Sequence, residues 1–424
     1  MQALVRFNKR SCMKKYFSVA IPAIIIAFVF PGCFKDDCRH AYKIYTPVYK
    51  SLAELRTAVK SGTATALNKP GKLYIEGSRI YLNEKDKGIH IIDNSNPEQP
   101  VNKAFINIPG NIDIAIKNNI LYADLYCDIA AIDISNPQAV VVKKYLTKTF
   151  PARVNYTSSN NPDSIQVVVD WITKDTVVDC QAAASLFNCP SCVRFYSASS
   201  ITPAVGSGVG GSQARFASLN NNYMYAVSNS DLNVIDISNA ADPMLTRSQN
   251  IGGNIETIFP YNDRLFIGAG SSMSIYDVQD PVNPKQLAWT GHWCSSDPVV
   301  ADDSYAYVTL HEADICGNKV NQLEIYSLQY NSSAQLRKTY PLTNPQGLSK
   351  DGNLLFICDG RDGLKIFDIS NVLDMKLVKH FPGINPYDVI ALNGIAYVTS
   401  AEGLYQYAYS NRNSIHLLSK LRSN

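Results

Sequence analysis

Short apolar runs alternate with polar residues along most of the chain, and Asn, Asp, Gly and Pro punctuate them at close intervals. Period-two alternation bounded by turn formers predicts strands joined by tight turns. One stretch shows the rule: IDIAI, NN, ILYADLY, IAAIDI, SNP and VVVKKYL read in order as four strands with their connections. No amphipathic helix interrupts the pattern inside such a unit.

The third strand of each unit closes on a recurring phrase: IHIIDNSNP, IAAIDISNP, LNVIDISNA, MSIYDVQDP, LEIYSLQYN, LKIFDISNV and LYQYAYSNR. Its anchor residues are Asp93, Asp133, Asp236, Asp277, Ser327, Asp368 and Ala408, with successive spacings of 40, 103, 41, 50, 41 and 40 residues. A period near 40 is the length of one four-stranded blade. The predicted fold is therefore all-β, a β-propeller of seven four-stranded blades with one inserted β-rich excursion in the long gap. The strands of that excursion, in VVVDWITKDTVV, lack the anchor phrase and are not counted as an eighth blade. Each anchor carboxylate is expected to accept N–H groups of the turn that follows, while proline fixes φ and ends the strand. Repetition places one such Asp in each separate blade, so they do not converge as metal ligands.

These phrases resemble the LVIVD repeat, in which an aromatic-rich strand such as ILYADLY, YMYAVS, RLFIGAG, YAYVTL or IAYVTS precedes a strand of the LKIFDIS type. The resemblance extends over about residues 70 to 420. It implies β-propeller architecture and a secreted or surface protein, and it implies no activity, since a fold does not fix a function.

The chain ahead of the repeats changes the picture of charge and address. Lys14 and Lys15, the apolar stretch Tyr16 to Phe30 and FPGC at Phe30 to Cys33 read as a lipoprotein signal peptide over residues 1–32, with translation starting at Met13. The segment resembles a bacterial lipoprotein signal whose Cys33 is lipidated, and Lys35-Asp36-Asp37 resembles a signal that sends some lipoproteins to the outer face of the outer membrane. The expected location is thus the outer membrane, lipid-anchored and cell-surface exposed; without the Lys-Asp-Asp signal, the periplasmic face is the alternative. Residues 1–32 hold five basic and no acidic side chains, so from Cys33 onward 34 basic and 36 acidic residues leave about −2. That balance excludes a basic nucleic-acid-binding surface. Residues 33–69 form a tether and N-terminal segment with one short helix, Ser51 to Lys60, opened by the capping box Ser51-Leu52-Ala53-Glu54. Its aromatic run AYKIYTPVY is expected to pack on a blade edge. Residues 70–424 form the propeller.

Eight cysteines follow Cys33, and an even number outside the cytoplasm points to disulfides. Cys294 precedes the first strand of unit 5 and Cys316 lies between its second and third strands, two loops on one propeller face, so these two are expected to pair. Cys180, Cys189 and Cys192 lie in the insert, roughly Thr147 to Gly211, where they read as staples of a small excursion; zinc and redox roles for Cys189-Pro-Ser-Cys192 lack a second ligand pair and a βαβ setting. SIQVVVDWITKDTVVDC in the insert reads as two strands about a Thr-Lys-Asp turn, and GSGVGG as a flexible return. Ser164 and Thr176 sit in triplets that resemble a bacterial O-glycosylation motif. Loops on a rigid scaffold carry binding specificity, which makes this insert the leading functional candidate.

A second candidate is the channel. Aligning the first strands places Leu73, Asp113, Phe216, Glu256, Asp297, Gly347 and Asp388 at equivalent inner positions, and Asp113, Glu256, Asp297 and Asp388 would offer a Ca²⁺ site of the kind used by metal-dependent propeller hydrolases. The alternative is that these acids bond backbone amides at the blade entrance. No G-x-S-x-G, H-E-x-x-H, P-loop or EF-hand pattern occurs. The sequence thus favours a non-enzymatic surface lipoprotein without a cofactor, anchored in the membrane by its lipid, whose insert-bearing face binds a protein or glycan. A Ca²⁺-dependent hydrolase or lyase and a structural subunit of an envelope complex are the alternatives.

Overall fold

The structure is a computed structural model and describes residues 39–150, 165–179, 214–219, 222–292, 298–311, 320–328 and 334–424. The signal segment, Cys33, Lys35 to Asp37, Ser164 and Cys180, Cys189, Cys192, Cys294 and Cys316 lie outside the described residues, as does Asp297. The chain divides into two compact units. The first holds residues 1–44 and 174–193, of which 39–44 and 174–179 are described; the second holds 45–173 and 194–424.

The described chain opens with strand β1 (Arg39–Ser51), helix α1 (Leu52–Thr57) and strand β2 (Lys60–Thr63). Seven antiparallel sheets follow, each in simple sequence order. Blade 1 contains β3 (Pro70–Glu76), β4 (Arg79–Glu84), β5 (Gly88–Asp93) and β6 (Val101–Asn107), and blade 2 contains β7 (Ile114–Lys117), β8 (Ile120–Leu125), β9 (Asp128–Asp133) and β10 (Val141–Leu146). After β11 (Gln166–Asp179) comes blade 3, with β12 (Phe216–Leu219), β13 (Tyr223–Val227), β14 (Asp231–Asp236) and β15 (Met244–Asn250). Blade 4 contains β16 (Ile255–Tyr261), β17 (Arg264–Ala269), β18 (Ser272–Asp277) and β19 (Lys285–Gly291), and blade 5 contains β20 (Val299–Ala301), β21 (Tyr305–Leu310), β22 (Gln322–Ser327) and β23 (Gln335–Pro341). Blade 6 contains β24 (Leu348–Asp351), β25 (Leu354–Cys358), β26 (Leu364–Asp368) and β27 (Lys376–Phe381), and blade 7 contains β28 (Pro386–Leu392), β29 (Ile395–Ser400), β30 (Gly403–Ala408) and β31 (His416–Arg422). The first strands β3, β7, β12, β16, β20, β24 and β28 each pack on the next, and β28 packs on β3. That circle of contacts makes them the inner wall of a seven-bladed propeller.

The anchor aspartates do what their local sequence dictates. Asp93 Oδ1 accepts from the Ser95 N–H at 3.0 Å and its hydroxyl at 2.7 Å, and Asp133 and Asp368 repeat the pair with Ser135 and Ser370. Asp236 and Asp277 accept from Ser238 N–H and Gln279 N–H, each at 2.8 Å. These are Asx turns, which close the strand without help from another blade.

The turns are then used by the blade before them. At matched positions of the second strand stand Tyr81, Tyr122, Tyr225, Phe266, Tyr307, Phe356 and Tyr397, all buried. The Tyr122 hydroxyl donates to Ala240 O in the turn of blade 3 at 2.8 Å, and Tyr225 donates to Pro281 O in the turn of blade 4 at 3.0 Å. These two rings are buried while their hydroxyls find carbonyls of the next blade, whereas Tyr307 donates to Asp302 Oδ2 of its own blade at 3.1 Å.

Outer strands carry a matching device. In all seven blades the third residue of the fourth strand, from Lys103 and Lys143 to Val378 and Leu418, is skipped in the pairing with the third strand. A bulge bends and twists an exposed edge away from pairing with another chain. Blade 1 has a further cover, because β2 pairs with β6 and makes that sheet five-stranded. The ring closes without a shared blade: Leu67 bridges Ser423, Gln406 Nε2 donates to Asn94 Oδ1 at 2.7 Å, and Leu73, Ile80, Ile390, Tyr397 and Leu404 share one apolar cluster.

Three expectations about the N-terminal segment and the insert need correction. Helix α1 has the predicted capping box, with Ser51 Oγ accepting from Glu54 N–H and Glu54 Oε2 from Ser51 N–H, but it ends at Thr57 because residues 60–63 are drawn into β2. The run AYKIYTPVY lies in β1, whose hydrogen-bonded partner is not a blade strand but β11, in a two-stranded sheet. QVVVDWITKDTVVD is one continuous strand of 14 residues, not two strands about a turn. A long-range partner overrides the local turn signal of Thr173-Lys174-Asp175.

Candidate functional site

Two places merit attention, the inner wall of the ring and the root of the insert. Lys72 in β3 is 1% exposed, and its Nζ lies 3.6 Å from Asp113 Oδ2. Asp113 sits just before β7 and is held from several sides. Its Oδ2 accepts the N–H groups of Arg215 and Phe216 at the entrance of blade 3, and its Oδ1 that of Ile114 at 2.8 Å. Asp124 Oδ1 accepts from Asn111 Nδ2 and from the N–H groups of Ile112 and Asp113, so the loop that presents Asp113 is itself fixed.

Asp388 in β28 is fully buried, and its carboxylate oxygens make no hydrogen bond of good geometry, with only the Val389 N–H acting on them. Its register partner Thr399 is buried as well, with an unpartnered hydroxyl. Gly347 makes room for this side chain: a Cβ there would fall 2.4 Å from Asp388 Oδ1. Burial pushes Asp388 up to about 8, with the Val389 N–H and the Lys72 ammonium acting against it. Burial also pushes Asp113 up to about 6, opposed by Lys72, and pulls Lys72 down to about 8, opposed chiefly by Asp113.

Of the four acids considered as a calcium ring, Asp113 and Asp388 are thus brought together around an ammonium of the chain's own. Glu256 is half-buried in β16 of blade 4. Among the described residues no group of three or more His, Cys, Asp or Glu side chains is placed to hold a metal ion. Asp113 fits the alternative reading, an inner acid that bonds the amides of the next blade. Lys72 went unnoticed in the sequence because it stands one residue ahead of the aligned inner position.

At the insert, the chain leaves and re-enters through residues that belong to the core. Thr149 and Phe150 are buried, and the Phe150 ring stacks on Phe216 with centroids 5.9 Å apart, which ties the outgoing end to the start of blade 3. Ile165 and Val167 at the base of β11 are buried in the apolar cluster of blades 1 and 2, and the Leu52 N–H donates to Ile165 O at 2.9 Å. Arg56 of α1 donates to Asp128 Oδ2 through Nε at 3.1 Å and Nη2 at 2.7 Å, while the Lys148 N–H donates to Asp128 Oδ1. Next to this base Tyr45, Tyr49, Trp171 and Ile172 are 49%, 44%, 37% and 60% exposed. Thr176 lies in β11.

Of the eight cysteines, Cys127 and Cys358 are free and fully buried, so the even-count argument cannot extend to them. Burial in an apolar wall suffices to keep both: it pushes Cys127 up to about 12 and Cys358 well above the ordinary thiol value. A shallow cleft of about 320 Å³ between blades 4 and 5, lined by Tyr261, Arg264, Asp277, Asp302 and Asp303 among others, had no signal in the sequence. Its acids are spoken for, Asp303 by Tyr261 and Asn262, and Asp302 by Tyr307 and Lys350.

The LVIVD repeat profile matches residues 211–250 and 345–381, which are blades 3 and 6. The chain carries LVIVD repeats. The five other blades repeat the antiparallel order of four successive strands seen in blades 3 and 6. No curated protein matches the chain. Among solved structures it is similar to the computationally designed Ika8 protein, at a TM-score of 0.50 and 8% identity over 85% of this chain and 92% of that one. BamB from Moraxella catarrhalis aligns at 0.48 and 8% identity over 86% and 97% of the two chains. PorZ of Porphyromonas gingivalis, described as a bacterial surface component of the type-IX secretion system, aligns at 0.46 and 13% over 84% of this chain and 39% of that one. At 8% identity the likeness to the Ika8 protein speaks to the fold alone.

Proposed function

We propose that the protein is a non-enzymatic, cell-surface lipoprotein, anchored through Cys33 and using a rigid LVIVD propeller to display the insert between blades 2 and 3 to a protein or glycan. The observation that carries this reading is the β1–β11 sheet: its base is locked into the core by Ile165 and Val167, while Tyr45, Tyr49, Trp171 and Ile172 face solvent. Large aromatics on a fixed base lose little freedom on binding and supply much of the contact energy in recognition surfaces. A hydrolase reading is less favoured, because Asp113 is committed to Lys72 and to backbone N–H groups.

Two experiments test the proposal. Radiolabelled palmitate should enter the wild-type chain and not Cys33→Ala, and an antibody should reach the wild-type protein on intact cells. Purified protein should bind members of an immobilised glycan or envelope-protein panel, and Trp171→Ser with Ile172→Ser should abolish that binding while leaving the melting temperature unchanged. Binding that survives these substitutions places the recognition surface elsewhere.

A further inference from the structure

The inner wall holds more charge than a scaffold requires. Lys72 comes from β3 of blade 1, Asp113 from the entrance to β7 of blade 2, and Asp388 from β28 of blade 7. Asp388 and Lys72 stand on adjacent inner strands, β28 and β3, at the seam where the ring closes without a shared blade, and Lys72 Nζ lies 3.6 Å from Asp113 of the next blade. The other titratable or charged groups facing them are Asp124 of β8, Arg215 ahead of β12 and the Cys358 thiol of β25. Cys358 stays protonated, because burial and the charges of Asp388 and Asp359 push its thiol upward. Asp124 Oδ1 accepts from three donors, the Asn111 amide and the N–H groups of Ile112 and Asp113. The Lys72 ammonium is already matched by Asp113 at 3.6 Å, so a carboxylate at buried Asp388, whose oxygens make no hydrogen bond of good geometry, would be uncompensated. Uncompensated charge in a buried site is costly, so the last carboxyl keeps its proton.

We infer that Asp388, Lys72 and Asp113 form a proton-operated latch on the ring seam: protonated Asp388 keeps the cluster neutral and the seam closed, and its deprotonation loosens blade 7 from blade 1. The step is one ionisation, Asp388–COOH to Asp388–COO⁻ with the proton released to solvent. Nothing covalent changes. Asp388 stands opposite Thr399 in the β28–β29 register, and the absence of a side chain at Gly347 is what leaves room for its Oδ1; a carboxylate there would carry an uncompensated buried charge.

The direction of the pH dependence follows from linkage. Asp388 is raised in the folded chain, so the folded state holds a proton that the unfolded state has lost, and stability falls as pH rises toward about 8. Asp113 contributes the same sign only up to about 6, and Lys72 the opposite sign only above about 8. Between those limits Asp388 acts nearly alone.

The test uses the purified full chain between pH 6.5 and 8. Infrared spectra should show a protonated carboxyl band at pH 6.5 that fades toward pH 8 and is absent in Asp388→Asn. Over the same interval, hydrogen-exchange protection of β28 and β3, referred to blade 4 in the same molecule, should fall by up to about tenfold per pH unit in wild type and stay level in Asp388→Asn. Lys72→Met supplies an independent arm if Asp388→Asn does not fold: without the ammonium, Asp113 also holds a proton, and the carboxyl band at pH 6.5 should grow. A missing band in wild type, a pH-dependent seam in Asp388→Asn or an unchanged band in Lys72→Met would each overturn the latch.

Discussion

Removing the Asp128 carboxylate is the most demanding perturbation of the insert's foundation. Asp128 is fully buried and receives two charged donors from Arg56, which is itself 14% exposed, together with the Lys148 N–H at 2.9 Å. Asp128→Ala strands a largely buried guanidinium and an amide at the point where the insert departs, and breaking such a pair from one side costs about 3 to 5 kcal/mol. Arg56→Met leaves the carboxylate with its amide partner and should cost less, about 2 kcal/mol, since it also loses the packing of the guanidinium over the Tyr145 ring. The double variant replaces both charges and should be more stable than the sum of the single losses predicts, by at least about 1.5 kcal/mol. Denaturant unfolding of the four proteins closes the cycle, repeated in high salt. A coupling below about 0.5 kcal/mol, or one that disappears with salt, would show that the pair behaves as a surface ion pair and that α1 does not secure the insert.

Two further outcomes test the scaffold. Tyr122→Phe removes the hydroxyl that reaches Ala240 O and should cost about 1 kcal/mol in denaturant unfolding, whereas removing a solvated tyrosine hydroxyl would cost nothing. Burial works against ionisation of Glu84, yet His90 and the N–H groups of Asn68 and Lys69 hold it down to about 2. Its stabilisation is therefore full above the ordinary carboxylate range and lost as pH falls toward 2. Glu84→Gln should be less stable than wild type at pH 7, with the gap narrowing between pH 5 and 2 in melting experiments; a constant gap would refute that role.

Local chemistry was the legible part. The seven anchor phrases, their Asx turns and the Ser51-Glu54 capping box depend on residues within three positions of one another, so sequence alone places them. What escaped depends on partners far along the chain. Residues 173–175 look like a turn, but β1, which lies well over a hundred residues away in sequence, holds them in a strand. Lys60 looks like the end of a helix, but the open edge of β6 recruits it into β2. Aligning the inner strands brought Asp113 and Asp388 to one wall and suggested a bound cation. The alignment could not reveal that Lys72, one residue out of register, supplies the positive charge. The repeated bulge in the fourth strands is invisible to a pattern of apolar and polar residues, because skipping a residue leaves composition unchanged.

The proposed role of the β1–β11 sheet is open to a single comparison: binding of the wild-type chain and of Tyr45→Ser, Tyr49→Ser, Trp171→Ser and Ile172→Ser to the same immobilised glycan and envelope-protein panel. The account predicts that at least one aromatic substitution weakens binding by more than about thirtyfold, the mark of a hot-spot residue, while every variant melts with wild type. Equal binding by all four variants would contradict it.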